Sequence, residues 1–138
     1  YGLLFAMSGV PAVYYGSEWG IEGEQLPGDH ELRPALDAPE WNELTDWIAA
    51  LAKARAGSEA LVWGDYSQLQ CQPQQLVFQR RSEGERVIVA INAADSPAVV
   101  HFDAQCGRAV DLITGEEHDF GGGSELKPFS ACYWRCER

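Results

Sequence analysis

From Ser58 onward the sequence breaks into short segments rich in Val, Ile and aromatic residues: "ALVWGDY", "QLVFQRR", "RVIVAIN", "AVVHF", "AVDLI" and "SACYWRC". Turn-forming stretches such as "SEGE", "AADSP", "DAQCGR" and "TGEEHDFGGGSELKP" separate them. β-branched and aromatic side chains suit a pleated, half-buried surface, and the spacing of the turns leaves room for strands rather than for long helices. The pattern predicts an antiparallel sandwich of about 80 residues. "RVIVAIN" is apolar at odd and even positions alike, so it belongs in the middle of a sheet with both faces covered. Gly84 marks a tight hairpin, and Pro97 and Pro128 fall at strand starts or edges, where a missing N–H is tolerated.

The first part of the chain has a different rhythm. "YGLLFAMSG" reads as the end of a helix, with Leu3, Leu4 and Met7 at helical spacing and Gly9 and Pro11 stopping it. "PAVYY" reads as a short, wholly buried strand because its apolar residues are continuous. A loop of about 20 residues follows, from Gly16 to Leu36, and carries Glu18, Glu22, Glu24, Asp29 and Glu31; loops of that length inside compact domains commonly serve a function. "DAPEWNELTDWIAALAKARAG" is the clearest helix, with Asp37 as its cap, Pro39 in its first turn, Lys53 and Arg55 at its negative end and Gly57 closing it. Trp41, Leu44, Ile48 and Leu51, with Trp47 beside them, make one apolar stripe. Strand, acidic loop and helix form one β-loop-α unit. In a (β/α)₈ barrel such a loop, after the C-terminal end of a strand, lines the mouth of the site.

Charge and cysteine usage narrow the function classes. Ten Lys and Arg against 21 Asp and Glu leave a formal charge of −11, which repels nucleic acid and anionic membranes. No apolar run approaches the roughly 20 residues of a membrane span and no charged leader precedes a cleavage-like site, so a cytoplasmic location is expected. Cys71, Cys106, Cys132 and Cys136 show no CxxC and no paired His, which gives little support to zinc or to a disulfide framework. On a strand Cys132, Trp134 and Cys136 share one face. They read as buried free thiols, with a structural bridge as the alternative. His101 and His118 have no partner at ligand-like spacing. Neither a cofactor nor a metal is expected.

The opening motif can be compared with a known family. In "GVPAVYYGSEWGIEGE", Gly9, Pro11, Tyr14, Tyr15, Gly16, Glu18 and Gly20 fill the pattern G-x-P-x-x-Y-Y-G-x-E-x-G. The stretch resembles the eighth barrel strand and following loop of family 13 glycoside hydrolases, the α-amylase, neopullulanase and cyclomaltodextrinase group. The order of "RVIVAIN", "DLITGE" and "ELKPFSACYW" is similar to that family's C-terminal sandwich. The resemblance implies a mainly β chain: an antiparallel β-sandwich at residues 58–138, preceded at residues 1–57 by the last β/α unit of a truncated (β/α)₈ barrel.

The same resemblance implies the chemistry. The family is expected to cleave α-glucosidic bonds with retention, using an Asp nucleophile, a Glu acid/base and a further Asp on earlier barrel strands, so no catalytic residue is assigned in this chain. Asp29 and Arg33 in "GDHELRPAL" would hold sugar hydroxyls at the donor-side subsites by charge-assisted hydrogen bonds. Tyr15 and Glu18 would shape the mouth, although strand tyrosines such as Tyr14 and Tyr15 are more often barrel core. The expected partners are an α-glucan or maltooligosaccharide, bound at the parent active site, and the rest of the catalytic barrel. A second copy of the chain is possible through the exposed barrel strand. A stand-alone carbohydrate-binding module is the alternative, favoured if Trp63, Tyr66 and Trp134 form an exposed platform and disfavoured if they lie in the core.

Overall fold

A computed structural model describes residues 1–24 and 30–137. The chain is mainly antiparallel β. A six-stranded sheet runs in the order β1-β2-β3-β8-β5-β6, and a two-stranded sheet pairs β4 with β7. The strands are β1 (Asp65–Gln72), β2 (Gln75–Arg81), β3 (Arg86–Asn92), β4 (Ala98–Val100), β5 (Arg108–Asp111), β6 (Glu117–Asp119), β7 (Ser124–Leu126) and β8 (Ser130–Cys136). The α-helices are α1 (Gly2–Ala6), α2 (Glu43–Ala56) and α3 (Glu59–Trp63).

The alternation of β2, β3 and β8 explains the layering. Phe78, Val87, Val89 and Tyr133 point to one face, where they pack with Phe5, Ala6, Ile48, Leu51, Ala60 and Leu61 from the three helices. Val77, Ile88, Ala90 and Trp134 point to the other, under Val100 of β4 and Leu126 of β7. The middle position of "RVIVAIN" follows: β3 has β2 on one side and β8 on the other, and Val87 to Ala90 are fully buried. Each buried aliphatic side chain of this kind contributes about 1.5–3 kcal/mol relative to exposure. The β2–β3 hairpin closes over Gly84, with Ser82 N–H donating to the Glu85 carbonyl at 2.9 Å.

Several expectations are corrected. "PAVYY" forms no strand: Val10 is 93% exposed, and none of the described residues pairs with this segment. A strand is held by its neighbours' hydrogen bonds, which an apolar run cannot supply for itself. α2 begins at Glu43, not near Asp37. Asn42 caps it, accepting from Thr45 N at 3.1 Å while its own N–H donates to Thr45 Oγ1 at 3.3 Å, a reciprocal box. Trp41 thus precedes the helix and is 68% exposed, leaving Ile48, Leu51 and Ala54 as the buried stripe. Gly57 does close the helix.

"ALVW", expected as a strand, is helix α3. Ser58 Oγ accepts from Leu61 N at 3.1 Å, and the Glu85 carboxylate accepts from Ala60 N at 2.9 Å and from Ser58 Oγ at 2.7 Å. With its first-turn N–H groups satisfied by partners in both sequence and space, the segment is held in a helical turn. Trp63 consequently points outward, 83% exposed. The next strand, β1, escaped sequence reading because it is an edge strand of polar residues, "DYSQLQCQ", with little buried surface. Its Cys71 is exposed rather than buried, and Tyr66 is exposed too.

Candidate functional site

The residues expected to face a sugar belong to the segment between Tyr14 and α2. Gly16 and Gly20, both left-handed at φ 83° and 73°, bracket a 3₁₀ turn at Ser17–Trp19. Gly16 suits the turn because its φ disfavours a side chain; a Cβ there would also press on the flexible end of Ile21, at 2.8 Å from Cδ1. Ile21 N donates back to the Gly16 carbonyl at 3.2 Å, closing the loop on itself. The capping residues of α2 fasten this turn from below. Thr45 Oγ1 donates to the Glu18 carbonyl at 2.9 Å, and Asn42 Nδ2 donates to the Trp19 carbonyl at 2.9 Å. One cap therefore starts the helix and positions the loop.

Tyr14 and Tyr15 pack with ring centroids 4.7 Å apart and planes tilted by 44°, and both are substantially exposed rather than core. They line a small cleft of about 70 Å³ together with Glu22, Glu31 and Leu32. Partial desolvation raises the Tyr15 phenol above its ordinary range, as do the hydrogen bond and charge of Tyr14, while the nearby Arg33 guanidinium opposes this. Arg33 is thus near enough to Tyr15 for its charge to act on the phenol. Glu18 is half-buried, and its Oε2 has no hydrogen-bond donor among the described residues. Asp29, the other expected sugar-binding residue, lies outside the described residues.

Two arginines are buried, Arg80, which the sequence did not single out, and Arg55, expected only as a charge at the negative end of α2. Arg80, 1% exposed, donates from Nε and Nη2 to the Gly64 carbonyl at 3.2 and 2.7 Å, and from Nη1 to the Ala6 carbonyl at 2.7 Å. Arg55 donates to the carbonyls of Phe5, Met7 and Gly9 at 2.8, 2.9 and 2.6 Å. Burial lowers the Arg80 pKa from its usual value, with Arg55 nearby adding to the effect. Together they satisfy the carbonyls at the end of α1, which the helix cannot pair internally. Tyr133 Oη also donates to the Gly2 carbonyl. The signal was present in the sequence: Arg55 continues the Ile48–Leu51 stripe by helical spacing, and Arg80 is two residues from Phe78 on the same strand face.

On the opposite face of the sheet, His118 stacks on Trp134 at 4.1 Å and 6°. Its Nε2 lies 2.8 Å from Ser124 Oγ. It is a histidine with its hydrogen-bond and stacking partners in place. Trp134, 3% exposed, packs in one cluster with Cys132 and Cys136, as their shared strand face predicts. Trp134 therefore cannot be part of a sugar platform, whereas Trp63 and Tyr66 remain on the surface. Trp63 borders a surface cleft of about 520 Å³ with Glu59, Asp65, Gln79 and Arg81.

The strand order and the cluster on Trp134 span the part of the chain that matches a family model, described as the C-terminal domain of maltogenic amylase, over residues 66–134. The chain belongs to that family. It corresponds to the C-terminal part of family 13 glycoside hydrolases. Among its relatives, a cyclomaltodextrin glucanotransferase from Klebsiella oxytoca is 33% identical over 110 residues, 71% of this chain and 16% of the relative. A cyclomaltodextrinase from Thermoanaerobacter pseudethanolicus is 24% identical over 127 residues, 92% of this chain and 22% of the relative. The α-amylase of Geobacillus thermoleovorans, solved in complex with acarbose, superposes with a TM-score of 0.87 at 22% identity, over 99% of this chain and 32% of that one. The chain thus spans less than a quarter of the length of these curated relatives. As a maltogenic amylase C-terminal domain, it carries the β-rich end of an amylase-type architecture.

Proposed function

We propose that this chain is the C-terminal part of a retaining α-glucan-acting glycoside hydrolase and that it braces the active site instead of performing the cleavage. Residues 1–57 would be the last β/α unit of the catalytic barrel and residues 58–138 the C-terminal β domain. The carboxylates that break the glycosidic bond lie elsewhere in the parent enzyme. The observation that carries this reading is the arginine clamp. Arg55 on α2 and Arg80 on β2 both end on backbone carbonyls between Phe5 and Gly9, up to the first residue of "GVPAVYYGSEWG". The sheet thereby fixes the approach to the loop that carries Tyr15, Glu18 and Arg33.

In this reading Asp29 and Arg33 hold sugar hydroxyls, Tyr15 offers a ring face, and the buried Glu18 Oε2 accepts a hydrogen bond at the mouth. The segment around the exposed Val10 pairs with the remaining barrel strands or, without them, with a second copy. The enzyme works in the cytoplasm on maltooligosaccharides or cyclodextrins. The test is kinetic. In the parent enzyme Arg33→Ala is expected to raise KM for maltooligosaccharides about tenfold with kcat little changed. Glu18→Gln is expected to leave kcat within about tenfold of the wild type. A loss of several orders of magnitude in kcat for Glu18→Gln would make it a catalytic acid and overturn the assignment, as would glucan hydrolysis by the 138-residue chain alone.

The outward Trp63 favours a second reading, in which the β domain itself holds a glucan chain against that indole. Retardation by amylose in affinity electrophoresis, abolished by Trp63→Ala, would establish it.

A further inference from the structure

Cys106 lies in the segment between β4 and β5, and Cys136 is the last residue of β8. Their sulfur atoms are 2.7 Å apart, against the roughly 2.05 Å of a covalent S–S bond. The two thiols therefore reach one another without any rearrangement of the strands. The other cysteines are differently placed. Cys132 faces Ala90 of β3 across the sheet, and burial, then the charge of Asp111, pushes its thiol up to about 12. Cys71 sits on β1, at the far edge of the six-stranded sheet from β5 and β6.

The pair is also accessible. Both cysteines line an open cleft of about 630 Å³ whose walls carry Arg81, Arg86 and Arg135 as well as Glu83 and Glu85. With Glu137 also in the lining, three guanidinium groups and three carboxylates flank the cysteines, which offers partners to both the carboxylates and the ammonium groups of a small zwitterionic oxidant. Arg86 also favours the Cys136 thiolate, although burial and the adjoining Cys106 thiol outweigh it and push Cys136 up to about 12.

We propose that Cys106 and Cys136 form a reversible redox pair that closes into an intrachain disulfide by exchange with a small disulfide oxidant of the glutathione type. The thiolate of Cys106 attacks one sulfur of the oxidant, giving a mixed disulfide and releasing one glutathione thiolate. Cys136 then attacks the Cys106 sulfur already beside it, forming the protein S–S bond and releasing the second glutathione thiolate. The two protons lost by the cysteines end on the two glutathione thiols. The protein pair is oxidised by two electrons and the oxidant reduced by two. The bond ties the segment ahead of β5 to the end of β8, locking the β5–β6 edge of the large sheet onto its neighbour. In a reducing compartment the pair stays open; in an oxidising one it closes.

The experiment equilibrates the whole protein with oxidised glutathione, then counts thiols and maps peptides without reduction. Two thiols are expected to disappear, with the intact mass about 2 Da lower. One cross-linked peptide pair should contain Cys106 and Cys136, and dithiothreitol should reverse all of this. Cys71→Ser should still form the link, and Cys106→Ser should not. Retention of every thiol would overturn the proposal. So would glutathione adducts that persist on Cys106 without a cross-link, or a cross-link made to Cys132 instead.

Discussion

His118 shows how a single side chain can set a pH response. Sandwiched against Trp134 and bonded to Ser124, it is held below the ordinary histidine range by burial, which outweighs the charges of Asp119 and Asp111. The unfolded chain takes up a proton on this residue near pH 6.5 and the folded chain only at a lower pH. Across that interval the unfolded state binds more protons, so stability is complete above about pH 6.5 and declines as the pH falls below it. Urea midpoints measured at about pH 7.5 and pH 5.5 should show this decline in the wild type and a smaller one in His118→Gln. An equal decline in both would place the titration elsewhere. Nothing in the spacing of His118 foretold the stacking partner: Trp134 is sixteen residues away in sequence, and only the pairing of β5 with both β6 and β8 brings the two together.

At the scale of elements, α2 and the loop before it are one device. Asn42 serves the helix through Thr45 N and the loop through the Trp19 carbonyl, while Thr45 serves the loop through the Glu18 carbonyl. Asn42→Ala should therefore cost about 1 kcal/mol for the lost cap and also loosen the turn at Ser17–Trp19. Faster amide exchange at Trp19 and Gly20, where the wild type bonds to Gly16 and Ser17 carbonyls, would register the second effect, which a cap acting on the helix alone would not produce. The helix was legible from its periodicity, but its start was not. Asp37 and Asn42 are both good caps by residue type; the one used is the one whose side chain also meets the 3₁₀ turn. The same competition moved "ALVW" from strand to helix. β-branched and aromatic residues suited either state, and Glu85, brought over by the β2–β3 hairpin, decided it.

For the whole molecule the decisive feature is the core that the helices share with one face of the large sheet, pinned by buried arginines. Removing the Arg80 guanidinium would leave the Ala6 and Gly64 carbonyls without their donor. Arg80→Met should thus cost about 3 kcal/mol or more in equilibrium unfolding, because buried acceptors stripped of a charged partner are expensive. It should also release α1, seen as proteolytic cleavage near Met7 before global unfolding. A loss below about 0.5 kcal/mol would mean that the clamp contributes nothing beyond packing.

The sequence by itself determined the central strand β3, the β2–β3 hairpin, the body and end of α2, the shared face of Cys132, Trp134 and Cys136, and the family. Each of these is written in side chains that are near one another along the chain or that repeat with a fixed period. Only the tertiary structure decided that "PAVYY" forms no strand with the described residues, that Trp63 faces solvent, which carbonyls Arg55 and Arg80 meet and that Cys106 meets Cys136. A backbone strand, a buried cation and a thiol pair all take their state from a partner distant in sequence, and local periodicity contains no term for that partner.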